Sequence, residues 1–262
     1  MNVVAKLAFD DLGEGPPLII LHGLFGSARN WQSVARRLAR HHRVICVDQR
    51  NHGRSEHTAR FDYADLAADL GHLIDDLELP RVGLVGHSMG GKTAMTFALA
   101  HPERVARLVM VDIAPVAYVD VHSPVVAALR ALPVAQYSRR QQAEEALATS
   151  IPEADIRSFL LQNLVLGPEG GSWRLNLPAI AASMPALVAP PPGCASAMFT
   201  GPAHVIRGAL SDRVSDPCLP AFRRCFPALE VHTVDAAGHW PHAENPAGFL
   251  RALMPALGLG ES

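Results

Sequence analysis

An excess of charge of either sign is missing from this sequence. Its 23 Lys and Arg residues nearly balance its 25 Asp and Glu residues, so the formal net charge is −2 at neutral pH. A chain without a basic excess has no electric field that would attract a nucleic acid or an anionic membrane surface. The short basic pairs Arg139-Arg140 and Arg223-Arg224 are therefore predicted to be solvated, and no nucleic-acid partner is expected.

Cysteine is sparse, and long apolar runs are missing. The four cysteines include no C-x-x-C pair, so we expect reduced thiols and no metal site. No uncharged apolar run reaches the roughly 20 residues that a membrane-spanning helix needs. The first residues, MNVVAKLAFDDLGEG, carry acids where a signal peptide needs an apolar core. These absences predict a cytoplasmic protein without a membrane span.

Apolar segments are abundant and follow a regular rhythm. Hydrophobic residues make up 49% of the 262 residues, and a chain of this length can bury a full core without disulfides or a metal. Strand-length apolar runs alternate with segments of helical period, which is typical of a mainly parallel sheet covered by helices on both faces. VVAKLAF at the start is predicted to be an edge strand. Buried strands are predicted at PLIIL (17–21) and RVICV (43–47), and further strands are predicted at RVGLV (81–85), RLVMV (107–111), AHVIRG (203–208) and LEVHTV (229–234).

The alternation of strands and helices stops between residues 116 and 198, where helical segments occur without a convincing buried strand. Ser123-Pro124, Ile151-Pro152 and Leu177-Pro178 each place proline at or near a first helical position, and the stretch closes with APPPG (189–193). We therefore predict a core formed by residues 1–115 and 199–262, with a helical cap formed by residues 116–198 inserted into it.

The stretch GHSMGGKT (86–93) satisfies two motifs that predict different chemistry. As G-x-S-x-G, it is the strand-to-helix elbow that presents Ser88 as a nucleophile. As G-x-x-x-x-G-K-[ST], it is a phosphate-binding loop in which Lys92 would hold a nucleotide. Both motifs need a strand before and a helix after, so these eight residues do not separate a serine hydrolase from a nucleotide-binding protein.

Two segments elsewhere in the chain favour the serine hypothesis. HGLFG (22–26) follows a buried strand, and such a glycine-rich turn can free an N–H group for a developing oxyanion. The amides of Leu24 and Met89 are predicted to form this oxyanion hole. AGHW (237–240) follows the last strand and offers His239 as the general base that a serine hydroxyl requires. Under this hypothesis Lys92 is an ordinary helix residue.

Six segments together resemble the α/β-hydrolase superfamily, and more narrowly the YbfF-type esterases. They are HGLFGSARNW, VDQRNHGRS, GHSMGGK, VDIAPV, WRLNLPAI and AGHWPHAENP, and the resemblance covers nearly the whole chain, loosest between 116 and 170. It implies an α/β-hydrolase fold, a mainly parallel doubly wound sheet with an inserted helical cap, and the chain order serine, acid, histidine.

The resemblance also implies an activity. Carboxylic esters, or alternatively acyl thioesters, would be cleaved through an acyl-enzyme intermediate without a cofactor, and the expected partner is a small-molecule acyl ester. Carbon–carbon bond hydrolysis and peptide hydrolysis remain open, because related sequences on this fold perform them.

The acid that orients His239 has two candidates. In most of the superfamily it follows the strand after the cap, where this chain reads GALSDRV (208–214). Ser211 stands at the expected position and Asp212 comes one residue later. Asp112, at the end of the RLVMV strand, is the other candidate. The resemblance to YbfF-type esterases favours Asp112 and gives Ser211 a hydrogen-bonding role. Phe25, beside the predicted oxyanion turn, and Ser211 are predicted to line the substrate pocket.

Overall fold

A seven-stranded sheet forms the centre of the protein in a computed structural model that describes residues 4–260. Its strands run in the order β1-β3-β2-β4-β5-β8-β9, and every neighbouring pair is parallel except β1 with β3. The strands are β1 (Ala8–Leu12), β2 (Pro17–Leu21), β3 (Arg43–Asp48), β4 (Val82–His87), β5 (Val105–Val111), β8 (Ala203–Gly208) and β9 (Leu229–Val234), and two further strands, β6 (Leu164–Gly167) and β7 (Gly170–Trp173), form a separate hairpin.

Helices cover both faces of this sheet, as the alternating pattern predicts. The α-helices of the described residues are α1 (Gln32–Leu38), α2 (Tyr63–Asp76), α3 (Met89–Ala100), α4 (Ser123–Ala131), α5 (Arg140–Leu147), α6 (Ala154–Leu161), α7 (Leu177–Val188), α8 (Leu219–Cys225), α9 (Pro241–Glu244) and α10 (Pro246–Ala256). Helices α2, α3 and α8 bury their apolar side chains in one cluster against the sheet, and α1 and α10 do so on the opposite face. Each fully buried leucine, isoleucine or phenylalanine contributes about 2 kcal/mol of hydrophobic stabilisation. The predicted doubly wound arrangement is confirmed.

The first strand begins later than the sequence pattern predicts. Residue 3 of the predicted segment lies outside the described residues, and β1 starts only at Ala8. The backbone before it is bonded to side chains instead of a neighbouring strand: Ala5 N–H donates to Asp69 Oδ1 at 2.8 Å, and Lys6 N–H donates to Glu56 Oε2 at 2.9 Å. The strand still lies at the edge of the sheet, as expected.

The segment between β5 and β8 packs its own apolar cluster against one end of the sheet. Helices α4 to α7 supply most of this cluster, and the rest of the chain contributes side chains that include Phe25 and Met89. Asn163 Nδ2 also donates to the carbonyl of Phe25 at 2.8 Å. The inserted segment is therefore fixed to the turn after β2 and to the start of α3.

The hairpin β6–β7 in this segment departs from the expectation of a segment without strands. Its strands have four residues each, and only Leu164 of the eight is fully buried. Such short, half-exposed strands carry neither a buried apolar run nor a clear alternation, so the sequence pattern lacks the signal by which strands are predicted.

Candidate active site

Ser88 lies at a sharp turn between β4 and α3. Its backbone has a φ of 52° and a ψ of −115°, a left-handed conformation that is strained for a serine. The turn is held by the amide of Ser88, which donates to the carbonyl of Val111 at 3.1 Å. It also needs glycine at position 90, because a Cβ there would collide with the carbonyl oxygens of Leu21 and His22. This geometry matches the elbow of the G-x-S-x-G motif.

His239 joins Ser88 to a buried carboxylate. Its Nε2 lies 3.1 Å from Ser88 Oγ, and its Nδ1 lies 2.8 Å from Asp112 Oδ2. Asp112 directly follows β5, is fully buried, and accepts two further hydrogen bonds, from the Gly208 amide at 3.1 Å and from the Ser211 hydroxyl. Hydroxyl, imidazole and carboxylate thus form one hydrogen-bonded chain, which is the arrangement that removes a proton from a serine.

Asp212, the alternative acid, lies outside this chain of contacts. Its side chain is 96% exposed, and its carboxylate is 3.7 Å from Nε of the neighbouring Arg213. The geometry therefore brings Asp112, and not Asp212, to His239. Ser211 turns toward Asp112, so the serine and the aspartate that follows it point in different directions.

Two other histidines close to His239 are structural. His87 Nε2–H donates to the carbonyl of His239 at 2.8 Å and so fixes the loop that carries the candidate base. The ring of His242 stacks on Trp31, with 4.3 Å between ring centroids. Burial lowers the pKa of His87 well below its ordinary value and lowers the pKa of His242 to about 3, so both are neutral at pH 7.

The turn after β2 lies directly against Ser88. A Cβ on Gly23 would be 3.2 Å from the Cβ of Ser88 and 2.7 Å from His87 Nδ1, so only glycine allows this approach. Leu24, the next residue, lines the small cavity at Ser88 together with Met89. Met89 is the first residue of α3, where backbone amides have no acceptor inside the helix.

Gln49 is a positioning residue that the sequence patterns do not reveal. Its backbone amide donates to His22 Nε2 at 3.0 Å, which leaves the His22 Nδ1 proton to bond the carbonyl of Gly23 at 2.8 Å. The Gln49 side chain donates to the carbonyl of His22 at 2.6 Å and accepts from the Thr93 hydroxyl at 2.9 Å. It therefore links the turn after β2 to helix α3, and no short motif signals such a role.

A cavity of about 560 Å³ opens beside Ser88 and His239. Phe25 and Ser211, the two residues predicted for the pocket, both line it. Its other apolar walls come largely from the inserted segment and from the loop after β9: Val121, Val125, Ile156, Phe159, Leu160 and Trp240. The rings of Phe159 and Trp240 are 5.9 Å apart, so the inserted segment also contacts the residue next to His239.

Lys92 is not the ordinary helix residue expected under the serine hypothesis. It is 1% exposed, and its Nζ donates to the carbonyls of Ala189 at 2.5 Å and Val188 at 3.3 Å, at the end of α7. Its ammonium also lies 4.8 Å from the centroid of the Tyr118 ring. Helix α3 is buried on all sides from Met89 to Leu99, and its nearly uniform apolar composition is the signal that predicts a buried lysine here.

Because Lys92 is buried, its titration is expected to change the stability of the protein. Burial lowers the pKa of Lys92 to about 8, whereas an unfolded lysine keeps its proton up to about 10.5. Between these values the unfolded chain binds more protons, so stability rises with pH. From pH 7 to pH 10, the free energy of unfolding of the wild type should rise by roughly 2 kcal/mol relative to that of Lys92→Met, as measured by urea unfolding. Lys6→Met, at an exposed lysine, is the matched control, and a stability difference for Lys92→Met that is constant with pH would contradict the prediction.

One group of possible metal ligands lies away from this site. His204, Glu230 and His232, on β8 and β9, place their ligand atoms within 4.8 Å of one another. Arg107 Nη1 donates to His204 Nε2 at 3.1 Å, which leaves the proton of this neutral imidazole on Nδ1. Nδ1 is the atom that faces His232 Nε2 at 3.3 Å, so the two rings are already satisfied by a hydrogen bond.

Comparisons with known proteins identify the fold family of the chain. The family described as alpha/beta hydrolase fold matches residues 16–162. Esterase YbfF of Escherichia coli K12 is 36% identical over 254 residues, which cover 97% of each chain. The sn-1-specific diacylglycerol lipase ABHD11 of Xenopus tropicalis is 39% identical over 253 residues, with 94% of this chain and 79% of that protein covered.

A solved structure named as a marine microorganism esterase superposes with a TM-score of 0.91 at 36% identity, covering 95% of this chain and 98% of its own. Within residues 4–260, no helix combines the length and the hydropathy needed to cross a bilayer. The cytoplasmic location stays a prediction from the sequence.

Proposed function

Because the chain belongs to the α/β-hydrolase family and is of the YbfF type, we propose that it is a serine hydrolase that cleaves carboxylic esters through an acyl-enzyme intermediate. One observation carries this proposal: a single imidazole, that of His239, contacts both the strained Ser88 and the buried Asp112. The relatives named above are an esterase and a lipase, which supports an ester as the substrate.

In the first half of the reaction, His239 Nε2 takes the proton of Ser88 Oγ as the oxygen attacks the acyl carbonyl. Asp112 accepts a hydrogen bond from Nδ1–H of His239, and its negative charge stabilises the imidazolium that forms. The amides of Leu24 and Met89 would donate to the developing oxyanion, and each such donor is worth about 10²–10³ in rate. The imidazolium then protonates the departing alcohol, and the acyl group stays on Ser88.

In the second half, the same imidazole takes a proton from a water molecule as the water oxygen attacks the acyl carbon. The bond from that carbon to Ser88 Oγ then breaks, the imidazolium returns its proton to Oγ, and the carboxylic acid leaves. Ser211 has a supporting role, since its hydroxyl donates to the carboxylate that orients His239. The chemistry is the same for an oxygen ester and a thioester, because the bond that breaks joins the acyl carbon to a leaving oxygen or sulfur.

We further propose that residues 116–198 act as a cap that encloses the acyl chain. The contacts of Phe159 with Trp240 and of Asn163 with the Phe25 carbonyl support this role, since they hold the segment over the cavity. Val125 and Ile156 give the cavity an apolar wall suited to a hydrocarbon chain.

The phosphate-loop hypothesis is less well supported. In that motif the lysine must reach the phosphates of a nucleotide. Lys92 instead donates to the carbonyls of Val188 and Ala189, and the motif assigns no role to His239 or Asp112. Carbon–carbon bond and peptide hydrolysis would use the same catalytic groups, so substrates must separate them from ester hydrolysis.

A substrate panel tests the proposed function. We expect turnover of p-nitrophenyl esters from acetate to dodecanoate, with longer apolar acyl chains preferred over acetate. Acyl-CoA thioesters are measured in parallel. A peptide p-nitroanilide and a vinylogous diketone represent the peptide and carbon–carbon classes. Turnover of either without ester turnover, or tight ATP–Mg²⁺ binding without ester turnover, would contradict the proposal.

A further inference from the structure

A positively charged side chain faces the otherwise largely apolar cavity. Arg213 lines both the 560 Å³ cavity and its small extension of about 40 Å³ beside Ser88 and Lys92. Its side chain is 22% exposed, and its guanidinium lies 5.4 Å from the centroid of the Tyr118 ring. Within residues 4–260, no acceptor lies at hydrogen-bond distance from the guanidinium, since the nearest carboxylate, that of Asp212, is 3.7 Å from Nε.

The backbone of Arg213 is fixed relative to the candidate catalytic groups. Its amide donates to Ser211 Oγ at 3.2 Å, and the same hydroxyl donates to Asp112. Its carbonyl accepts from the Tyr118 hydroxyl at 2.7 Å, and that hydroxyl accepts from the Ala114 amide at 2.8 Å. Arg213 is thus held two hydrogen bonds away from the carboxylate that orients the base.

The other charged groups around the cavity are bonded to neighbouring groups or exposed to solvent. Asp112 is bound to His239, and Asp212 is 96% exposed to solvent, where water screens its charge. Lys92 is a second cation in the small extension, but its ammonium is directed at two carbonyls. Burial lowers the pKa of His122, another lining residue, to about 4, so it is neutral at pH 7. Among the described residues that line the cavity, Arg213 is the cation whose side-chain donors have no hydrogen-bond acceptor.

A guanidinium whose one ion-pair partner, Asp212, is exposed and beyond hydrogen-bond distance lies at the wall of a largely apolar cavity. This arrangement matches a ligand that is apolar along most of its length and anionic at one point. Guanidinium groups bind carboxylates and phosphates through two parallel hydrogen bonds. Because the cavity is partly closed to water, such a contact is stronger than it would be on an open surface.

We propose that Arg213 is a specificity-determining residue that binds an anionic oxygen group, a carboxylate or a phosphate, on the ester or thioester substrate. The inference rests on the proposed function. The anion can belong to the acyl part, as in the half-ester of a dicarboxylic acid, or to the leaving group, as in an acyl-CoA. Both sources present the same chemistry to the guanidinium.

Two matched substrate pairs separate these sources. Monomethyl adipate and methyl hexanoate differ in a carboxylate on the acyl part, and S-hexanoyl-4′-phosphopantetheine and S-hexanoylpantetheine differ in a phosphate on the leaving group. For each pair, the ratio of kcat/KM for the anionic substrate to that for the neutral one is measured in wild type and Arg213→Gln. We expect Arg213→Gln to lower at least one ratio by about 10- to 100-fold, the worth of a charged hydrogen-bonded contact.

Three further variants complete the kinetic test. Arg213→Lys keeps the charge and should recover part of the lost ratio. Asp212→Asn removes the neighbouring acid and should raise the ratio about 2- to 5-fold, in the direction opposite to Arg213→Gln. Arg223→Gln, at an exposed arginine of α8, is the control and should leave both ratios as in wild type. If Arg213→Gln lowers kcat/KM equally for the anionic and the neutral substrate in both pairs, the arginine is structural and the proposal is wrong.

A binding measurement distinguishes failure of this inference from failure of the proposed function. In a Ser88→Ala background, adipate and CoA are titrated by calorimetry at low salt, with and without Arg213→Gln. Binding of either that weakens at least tenfold without the guanidinium supports the anion site, whatever the catalytic activity is. If neither anion binds, or if binding is unchanged in Arg213→Gln, the anion site is rejected, and the ester panel still decides the proposed function by itself.

Discussion

Replacing Ser88 with alanine is expected to lower kcat for ester hydrolysis by about 10⁴- to 10⁶-fold. The oxygen of this hydroxyl forms the acyl-enzyme, and among the described residues no other hydroxyl donates a hydrogen bond to His239 Nε2. The φ of 52° at position 88 is strained for serine and for alanine alike, so the substitution does not change this strain. We therefore expect the variant to fold and to melt near the wild-type temperature.

Initial rates on a p-nitrophenyl ester, with circular dichroism melting as the check on folding, measure this effect. Ser196→Ala, at an exposed serine, serves as the control and should retain wild-type turnover. A folded Ser88→Ala variant that retains a tenth or more of the wild-type kcat would contradict the role of Ser88.

Replacing Asp112 with asparagine is expected to lower kcat by about 10⁴-fold, whereas Asp212→Asn should stay within a few-fold of wild type. An asparagine amide at position 112 can donate to His239 Nδ1, which then holds the proton on Nε2. An imidazole in that tautomer cannot accept the proton of Ser88, although the geometry is kept. Asp212 is 96% exposed and makes no contact with His239, so its charge contributes little to orientation.

The two aspartate variants are compared on the same ester at saturating substrate, so that kcat reports the chemical steps. Asp212→Asn is the matched control, because it removes one carboxylate from the adjacent loop. Loss of turnover in Asp212→Asn together with near wild-type turnover in Asp112→Asn would show that the acid is assigned to the wrong residue.

The buried strands could be predicted because their chemistry is distinctive. RVICV and RLVMV are uninterrupted apolar runs, and in the structure β3 and β5 lie inside the sheet with helices on both faces. The hairpin β6–β7 could not be predicted in the same way, because its strands are short and half exposed. A strand can be recognised from its apolar residues only where most of its side chains are buried.

Local motifs predict the candidate serine and histidine, but chain order and strand position do not choose between the two candidate acids. Asp112 follows β5 and Asp212 follows β8, and these strands are parallel neighbours whose carboxyl ends lie side by side. Chain order and position at the sheet edge are therefore the same for both. What separates them is the conformation of one loop, which turns Ser211 toward Asp112 and leaves Asp212 in solvent.

Lys92 and Arg213 show a second limit of sequence patterns. The motifs make Lys92 a phosphate ligand or an ordinary helix residue, and in the structure it donates to the carbonyls of Val188 and Ala189 in the inserted segment. Arg213 belongs to no motif, and its place at the cavity depends on hydrogen bonds to Ser211 and Tyr118. Long-range contacts of this kind follow from the fold and leave no local pattern in the chain.

Covalent labelling by a fluorophosphonate tests the central claim most directly, because the reagent reacts with a serine hydroxyl only when a base and an oxyanion site activate it. Intact-protein and peptide mass spectrometry would compare folded wild type with folded Ser88→Ala. We predict one adduct on the wild type, located at Ser88, and none on the variant. No adduct on the folded wild type, or equal labelling of Ser88→Ala, would contradict the proposal that Ser88 is an activated nucleophile.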